Sequence, residues 1–104
     1  MNQYDVYDNP IPGARRAFPF VALLQSDIAD TGRERMVAPL VPRERIPGAV
    51  GRLTPIVRIL STDHLLLVPQ MSSITVNSLR DPKDRLTDYR DAITAALDFL
   101  FLGV

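Results

Sequence analysis

The chain has 104 residues, of which 46% are hydrophobic and 23% are charged, as in a single globular domain and unlike a disordered chain. Twelve basic and twelve acidic residues cancel, which excludes a global charge that would draw the protein to nucleic acid or membranes. The absence of cysteine excludes disulfides and thiolate metal sites and is typical of a reducing compartment such as the cytoplasm.

The N-terminal residues and the distribution of charge bear on location and partners. Residues 1–6 lack the basic and apolar regions of a signal peptide, and no apolar run approaches the ~20 residues that span a bilayer. We therefore expect a soluble cytoplasmic protein. Residues 15–58 contain eight arginines against four acids, which indicates either an acidic partner or a solvated arginine-rich surface.

Short strands separated by turns are predicted before residue 80. Alternating or β-branched apolar residues favour strands, whereas the prolines and glycines at 9–13 and 42–55 favour loops. Strands two and three, and strands four and five, are expected to form antiparallel hairpins, the latter through a turn at 61–63. The predicted strands cover 3–7, 18–25, 35–41, 56–60, 64–68 and 74–76.

Residues 87–104 give the strongest helical pattern. Six apolar side chains recur at spacings of three and four and form one face: Tyr89, Ile93, Ala96, Leu97, Leu100 and Val104. Thr87 is the predicted N-cap, with Asp88 and Asp91 placing negative charge in the first turn. Phe99, Phe101 and Leu102 add apolar surface beyond this face, which predicts that the end of the helix is buried or meets another protein.

No catalytic motif emerges from residue type and spacing. His64 is interpreted as a surface or turn histidine at a strand edge, because a metal site needs three or four ligands. Residues 48–51 lack the remainder of a phosphate-binding loop. Asp27 and Asp30 are interpreted as turn acids, not a catalytic pair. The residues alone therefore predict a β-rich domain with a C-terminal helix, and they predict no cofactor or metal.

Gln-Ser-Asp-Ile-Ala-Asp-Thr stands at 25–31, and Arg-Met-Val-Ala-Pro-Leu follows it at 35–40. Together these stretches closely resemble the second hairpin of the CcdB toxins, the gyrase poisons of toxin–antitoxin modules. Pro-Ile-Val-Arg-Ile at 55–59 is similar to the family strand Pro-Val-Val-His-Ile, and 91–104 is similar to its C-terminal helix. The resemblance extends over nearly the whole chain.

This resemblance implies both a fold and an action. The fold would be a single domain, 1–104, that is mainly β with α: a small antiparallel barrel-like sheet, as in the CcdB, MazF and Kid toxins, with a C-terminal helix and a three-stranded wing from 8–17 and 42–54. The family forms homodimers in which two helix ends lie together beside the 25–31 turn. Its members bind the A subunit of DNA gyrase and trap the cleaved DNA complex, which is binding and not enzymatic catalysis.

The resemblance also implies two contact surfaces. Antitoxin, a CcdA-like protein with an acidic disordered tail, would bind the wing and would carry the complex to operator DNA for autoregulation, so the toxin would meet DNA only indirectly. The antitoxin-binding residues carried over are Asn9, Arg15, Arg16, Arg43 and Arg45. The gyrase-binding residues carried over are Ile28, Ala29, Asp98, Phe101, Leu102, Gly103 and Val104.

The sequence departs from the family at three of these positions. Leu102 stands where the family has the tryptophan that stacks on gyrase, Ala29 replaces a bulkier apolar residue, and Asp98 replaces an uncharged amide. Two alternatives follow. The protein is a dimer that binds antitoxin and regulates transcription without poisoning gyrase, or it is a MazF-like endoribonuclease that uses Thr31, Arg33 and Arg35 in a basic cleft.

Overall fold

A computed structural model describes residues 2–25, 32–48 and 51–103, and within these ranges the chain forms seven strands and one α-helix. The strands are β1 (Asp5–Asp8), β2 (Phe20–Leu23), β3 (Glu34–Pro42), β4 (Ile56–Ile59), β5 (Thr62–Leu66), β6 (Ser72–Thr75) and β7 (Asp84–Arg85). The α-helix, α1, covers Arg90–Leu102. Short 3-10 turns lie at Arg43–Arg45, Val68–Gln70, Val76–Ser78 and Thr87–Tyr89.

The strands form one antiparallel sheet centred on β3. The order is β4-β5-β3-β2-β1-β7, and β6 also pairs with β3. Strand β3 is nine residues long, so its first half pairs with β6 and its last residues pair with β5, while β2 lies on its other side. The predicted β2–β3 and β4–β5 hairpins are confirmed.

Side chains bring the two ends of the sheet order together into a nearly closed barrel. The backbone N–H of Leu60, just after β4, donates to Oδ2 of Asp84 in β7 at 2.9 Å. The backbone N–H of Arg58 donates to the hydroxyl of Tyr89 at 3.1 Å. Alternate residues of a strand direct their N–H groups to one side, so both bonds lie on the same edge of β4. The predicted mainly β, barrel-like architecture with one C-terminal helix is confirmed within the described residues.

Alternation along the strands divides the core between the two faces of the sheet. On the helix side, Val6, Ala22 and Leu40 are fully buried with Ile93 and Ala96 of α1. On the other face, one cluster contains Tyr7, Val21, Leu23, Val37, Ile74 and Leu79. A third cluster contains Val41, Leu65 and Leu67, against which Phe18, Ile46 and Ile56 pack.

Three local predictions differ from the structure. The β4–β5 turn lies at Leu60 and Ser61 and not at 61–63, because β5 already begins at Thr62. Both turn residues adopt positive φ, 49° and 70°. Thr87 as the helix N-cap is wrong: it begins a 3-10 turn, and the N-cap of α1 is Tyr89, which makes no side-chain capping bond. The short strand β7, which pairs with β1, is absent from the predicted strands.

The wing is less regular than expected in the part of the chain that the structure describes. Its β pairing there is an isolated bridge between Gly51 and Thr54, and residues 11–17 form turns. Apolar packing, and not strand pairing, holds these segments in place. Phe18 and Ile46 lie on the apolar cluster of Val41, Leu65 and Leu67, so that both wing segments are fixed to the same face of β3 and β5.

Candidate functional site

The end of α1 is the largest departure from ordinary apolar burial. Ile93 and Ala96 are fully buried, and Tyr89, Leu97 and Leu100 pack against the same core, which confirms the five described members of the predicted apolar face. Phe101 and Leu102 are instead 69% and 70% exposed. Adjacent exposed apolar side chains of this size are typical of surfaces that meet another protein.

Phe99 differs from its two apolar neighbours because it has a partner within the chain. The guanidinium carbon of Arg52, in the wing, lies 3.9 Å from the centroid of the Phe99 ring. This is a cation–π contact, and it covers one face of the ring. Phe99 was expected to add to a surface that faces a partner. Its side chain is half-buried, and Arg52 covers one face of the ring, so only the remaining part of the ring is open to a partner.

Gly103 is the residue that ends the helix. Its φ is 74°, in the left-handed region, and its N–H donates to the carbonyl of Phe99 at 3.0 Å, which is the usual way for a glycine to close a helix. Asp98 and Gly103 are exposed beside Phe101 and Leu102. The structure thus brings four of the seven predicted gyrase-binding residues together on one helix end.

The other three predicted gyrase-binding residues, Ile28, Ala29 and Val104, lie outside the described residues, as do Asp27, Asp30 and Thr31. The base of the hairpin that carries 26–31 is nevertheless defined. Oε1 of Gln25 accepts the N–H of Met36 at 2.8 Å, and the N–H of Leu24 donates to the carbonyl of Met36 at 2.9 Å. Sequence reasoning used Gln25 only as a motif residue and missed this structural role.

The predicted antitoxin residues divide into exposed arginines and one buried asparagine. Asn9 is 2% exposed, its Nδ2 donates to the carbonyl of Phe18 at 2.9 Å, and its Oδ1 accepts the N–H of Ile11 at 3.0 Å. Nε of Arg15 donates to the carbonyl of Asn9. Asn9 therefore lies beneath the surface, where its side chain supports the loop, and its part in antitoxin binding stays a prediction.

The exposed arginines join the two wing segments. Nη1 of Arg45 donates to the carbonyls of Arg16 and Ala17, although the two segments are far apart in sequence. Nη1 of Arg43, two residues away in the same 3-10 turn, lies 3.5 Å from Oδ2 of Asp63 in β5. Arg15, Arg16, Arg43 and Arg45 are exposed, and the bonds of Arg45 join the two segments that carry them. We call this set the arginine side of the wing.

The position of His64 and the distribution of acidic residues bear on metal binding in the described parts of the chain. His64 was predicted at the surface, and this is wrong: it is 4% exposed within β5, its Nδ1 lies 2.9 Å from the carbonyl of Thr62, and its ring meets Phe20 edge-on at 5.7 Å. The described residues contain no cluster of His, Asp or Glu able to hold a metal ion.

Two further observations bear on the alternatives. Nη1 of Arg35, a candidate ribonuclease residue, donates to the carbonyls of Gly32 and Glu34 at 2.7 and 2.8 Å. These bonds to backbone carbonyls hold the loop together, and they do not support a role for Arg35 as an acid or a base. Among the helices that the structure describes, none has the length and apolar character needed to cross a membrane.

One comparison with known proteins is informative. A family model described as CcdB protein matches residues 3–103, a range that includes every strand and the helix. No curated protein matches the chain. The matched range contains the exposed helix end and the arginine side of the wing.

Proposed function

The chain belongs to the CcdB family, the toxins of toxin–antitoxin modules, and from this premise we propose that it binds the A subunit of DNA gyrase and traps the cleaved gyrase–DNA complex. The observation that carries the proposal is the pair Phe101 and Leu102, 69% and 70% exposed on a helix that buries Ile93 and Ala96 fully in the core. A domain with a complete core gains nothing from leaving two adjacent large apolar side chains in water unless another protein covers them.

The proposed gyrase-binding surface combines this helix end with the neighbouring family positions. Phe101 and Leu102 supply apolar area, Asp98 supplies a charge that can pair with a basic target residue, and Gly103 closes the helix beside them. Ile28, Ala29 and Val104 complete the proposed set. A homodimer, as in the family, would present two such helix ends together and so double the apolar area offered to one gyrase.

The proposed antitoxin surface is the arginine side of the wing, with Arg15, Arg16, Arg43 and Arg45 as contact residues and Asn9 as a support. These arginines are exposed, and guanidinium groups pair well with the carboxylates of an acidic tail. The partner is a CcdA-like antitoxin, which would also carry the complex to operator DNA for autoregulation. The proposed location is the cytoplasm, because the proposed target, gyrase, is found there and a chain without cysteine is typical of a reducing compartment.

A second function is favoured by one observation, the residue at position 102. The family tryptophan offers a flat aromatic face, whereas Leu102 offers only aliphatic surface. The loss of an interface tryptophan costs ~2 kcal/mol or more, a factor on the order of thirty in affinity. The second candidate is therefore a CcdB-type dimer that binds antitoxin and takes part in autoregulation without effective poisoning of gyrase.

A cleavage assay separates these two functions. The purified protein is incubated with supercoiled plasmid, ATP and gyrase from its own host, and trapped complexes are released as linear DNA by detergent and protease. The first function requires linear DNA to accumulate with protein concentration, with a quinolone as the positive control for gyrase. No linear DNA from wild type, together with linear DNA from Leu102→Trp, would overturn the first function in favour of the second.

A further inference from the structure

The wing supplies a positive charge to the side of α1 that carries Leu102. Arg52 is exposed, and its guanidinium carbon lies 3.9 Å from the centroid of the Phe99 ring. Phe99 and Leu102 are three residues apart in α1, and residues at this spacing are neighbours on one side of a helix. Arg52 therefore lies beside the proposed gyrase-binding surface, although it belongs to a different part of the chain.

The charge of Arg52 is not neutralised within the described part of the chain. The ion pairs found there join carboxylates to Arg43, Arg58, Arg85 and Lys83, whereas Arg52 contacts an aromatic ring. A cation–π contact of this kind engages the flat face of a guanidinium, and the five N–H donors of the group point outward in its plane. These donors are available to an acceptor on another molecule.

The ring of Phe99 also restricts the guanidinium before a partner arrives. An exposed arginine side chain normally loses rotamer freedom when it is fixed in a complex, which weakens binding. An arginine that already lies against a ring loses less of this freedom, so its pairing adds more to affinity. A carboxylate is the acceptor that fits best, because its two oxygens match the fork of the guanidinium.

We propose that Arg52 is a specificity-determining residue of the target surface, where its guanidinium, held over Phe99, binds a carboxylate of the gyrase A subunit. The proposal rests on the proposed function, since the partner is the same. Asp98 precedes Leu102 by about one helical turn and places the opposite charge on the other flank of that leucine. The surface then selects a target whose acidic and basic side chains meet Arg52 and Asp98 on either side of an apolar contact.

This role gives the surface a selectivity that Leu102 does not provide. Apolar contact is non-directional and depends mainly on the area removed from water, so a leucine accepts many apolar partners. A charge pair depends on the position and sign of the opposing group, and the wrong sign is rejected. The wing arginine therefore makes target choice depend on one acidic residue of the partner.

Arg52 also has a structural role that the experiment must separate from target binding. The last turn of α1 contains no basic residue, and a cation near the C-terminus of a helix is favourable because the carbonyl groups there are partly negative. Arg52 supplies such a cation from the wing. That role acts on the fold, whereas pairing with a carboxylate of the target makes affinity depend on the charge at position 52 and on salt.

The test is surface plasmon resonance with the gyrase A subunit immobilised and the full-length protein in solution, at low and at physiological salt. Arg52→Gln should weaken binding about tenfold and reduce its salt dependence, and Arg52→Glu should weaken binding further. Arg52→Lys should recover the salt dependence and part of the affinity, because lysine keeps the charge but lacks the fork.

Arg80→Gln is the matched control for the loss of one charge. Arg80 is exposed and follows Leu79, which belongs to the core cluster on the face of the sheet opposite to α1. This variant should bind gyrase with the affinity of wild type. A loss as large as that of Arg52→Gln would show that net charge matters and position does not, which contradicts the proposal.

Phe99→Leu separates target binding from support of the helix. It removes the ring under Arg52 and keeps the charge, so it should weaken binding while the salt dependence stays close to that of wild type. Equal weakening by Phe99→Leu and Arg52→Gln, with salt dependence unchanged in both, would show that the contact supports only the fold. Conversion of a dimer to a monomer by Arg52→Glu, measured by light scattering, would instead assign the charge to an interface between copies.

The same measurement distinguishes failure of this proposal from failure of the proposed function. Gyrase binding by wild type that Arg52→Glu leaves unchanged overturns the role of Arg52 and leaves the proposed function in place. No binding of the gyrase A subunit by wild type overturns both.

Discussion

The guanidinium of Arg52 stacks on the ring of Phe99, with its central carbon 3.9 Å from the ring centroid. This contact joins the wing to the last turns of α1 and divides the apolar end of the helix into two parts. Phe99 is covered on one face from within the chain, whereas Phe101 and Leu102 are left to solvent. The wing and the helix end, which the proposed function gives to different partners, are therefore in direct contact.

Removal of this contact should destabilise the protein modestly. Exposed cation–π pairs contribute ~0.5–1 kcal/mol, so Arg52→Ala should lower the free energy of unfolding in urea by about that amount. Phe99→Leu keeps apolar volume but removes the π face and serves as the second arm of a double-mutant cycle. If the losses in the free energy of unfolding caused by the two substitutions add up in the double mutant, the stacking contributes nothing to stability.

The identity of residue 102 should set the strength of gyrase trapping. Leu102→Trp restores a flat aromatic side chain and is expected to lower the protein concentration needed for half-maximal linear DNA by a factor on the order of thirty. Leu102→Asp should abolish trapping. Since the side chain is 70% exposed, neither change should move the free energy of unfolding by more than ~0.5 kcal/mol. Equal trapping by wild type and both variants would remove residue 102 from the target surface.

Two ion pairs at β7 differ in burial and should differ in contribution to stability. Nε of Arg85 lies 3.0 Å from Oδ1 of Asp5, whose side chain is 3% exposed, and Oδ2 of Asp5 accepts the N–H of Asn2. Arg85→Ala leaves a buried carboxylate short of a donor and should cost ~1–3 kcal/mol.

Lys83 provides the matched control for that measurement. Its Nζ lies 3.9 Å from Oδ2 of Asp8, with the two side chains 42% and 52% exposed. Lys83→Ala should cost less than ~1 kcal/mol. Chemical denaturation of both variants measures the difference, and equal costs would show that burial of Asp5 does not strengthen its pairing.

The hydroxyl of Tyr89 should protect the edge of β4 from exchange with solvent. It accepts the N–H of Arg58 at 3.1 Å, so Tyr89→Phe should cost ~0.5–1.5 kcal/mol and accelerate hydrogen–deuterium exchange of the Arg58 amide. The amide of Leu60 bonds to Asp84 instead and should keep its protection in this variant. Uniform acceleration across β4 would indicate general loosening and not the loss of one bond.

Much of the fold could be predicted because its signals are local. Alternating apolar residues placed the hairpins, and the spacing of Ile93, Ala96 and Leu97 gave the buried face of α1. What failed depends on context that no local pattern carries. The turn at Leu60 and Ser61 lacks the glycine or asparagine that marks positive φ, and the burial of His64 follows from its position in the middle of β5.

The candidate site was predicted less completely because its contacts join distant parts of the chain. The helical pattern predicted that the apolar side chains at 101 and 102 are either buried or meet another protein, and the structure shows them exposed. The stacking of Arg52 on Phe99 and the bond from Arg45 to Arg16 join segments far apart in sequence. Periodicity carries no information on such pairs, and neither does composition. The sequence likewise gives no sign that Asn9 is buried, because its amide bonds to the backbone of Phe18 and Ile11 become evident only in the folded loop.

The side-chain seam of the barrel has a consequence for how this protein associates with others. A sheet edge with open N–H groups invites an extended chain to add as a further strand, and repeated addition leads to aggregates. At β4 the outward N–H groups of Arg58 and Leu60 are already bonded to Tyr89 and Asp84. Backbone addition at this edge is disfavoured, so a partner that meets the protein here must do so through side chains. Partner choice at this edge can then change through single substitutions while the sheet stays the same.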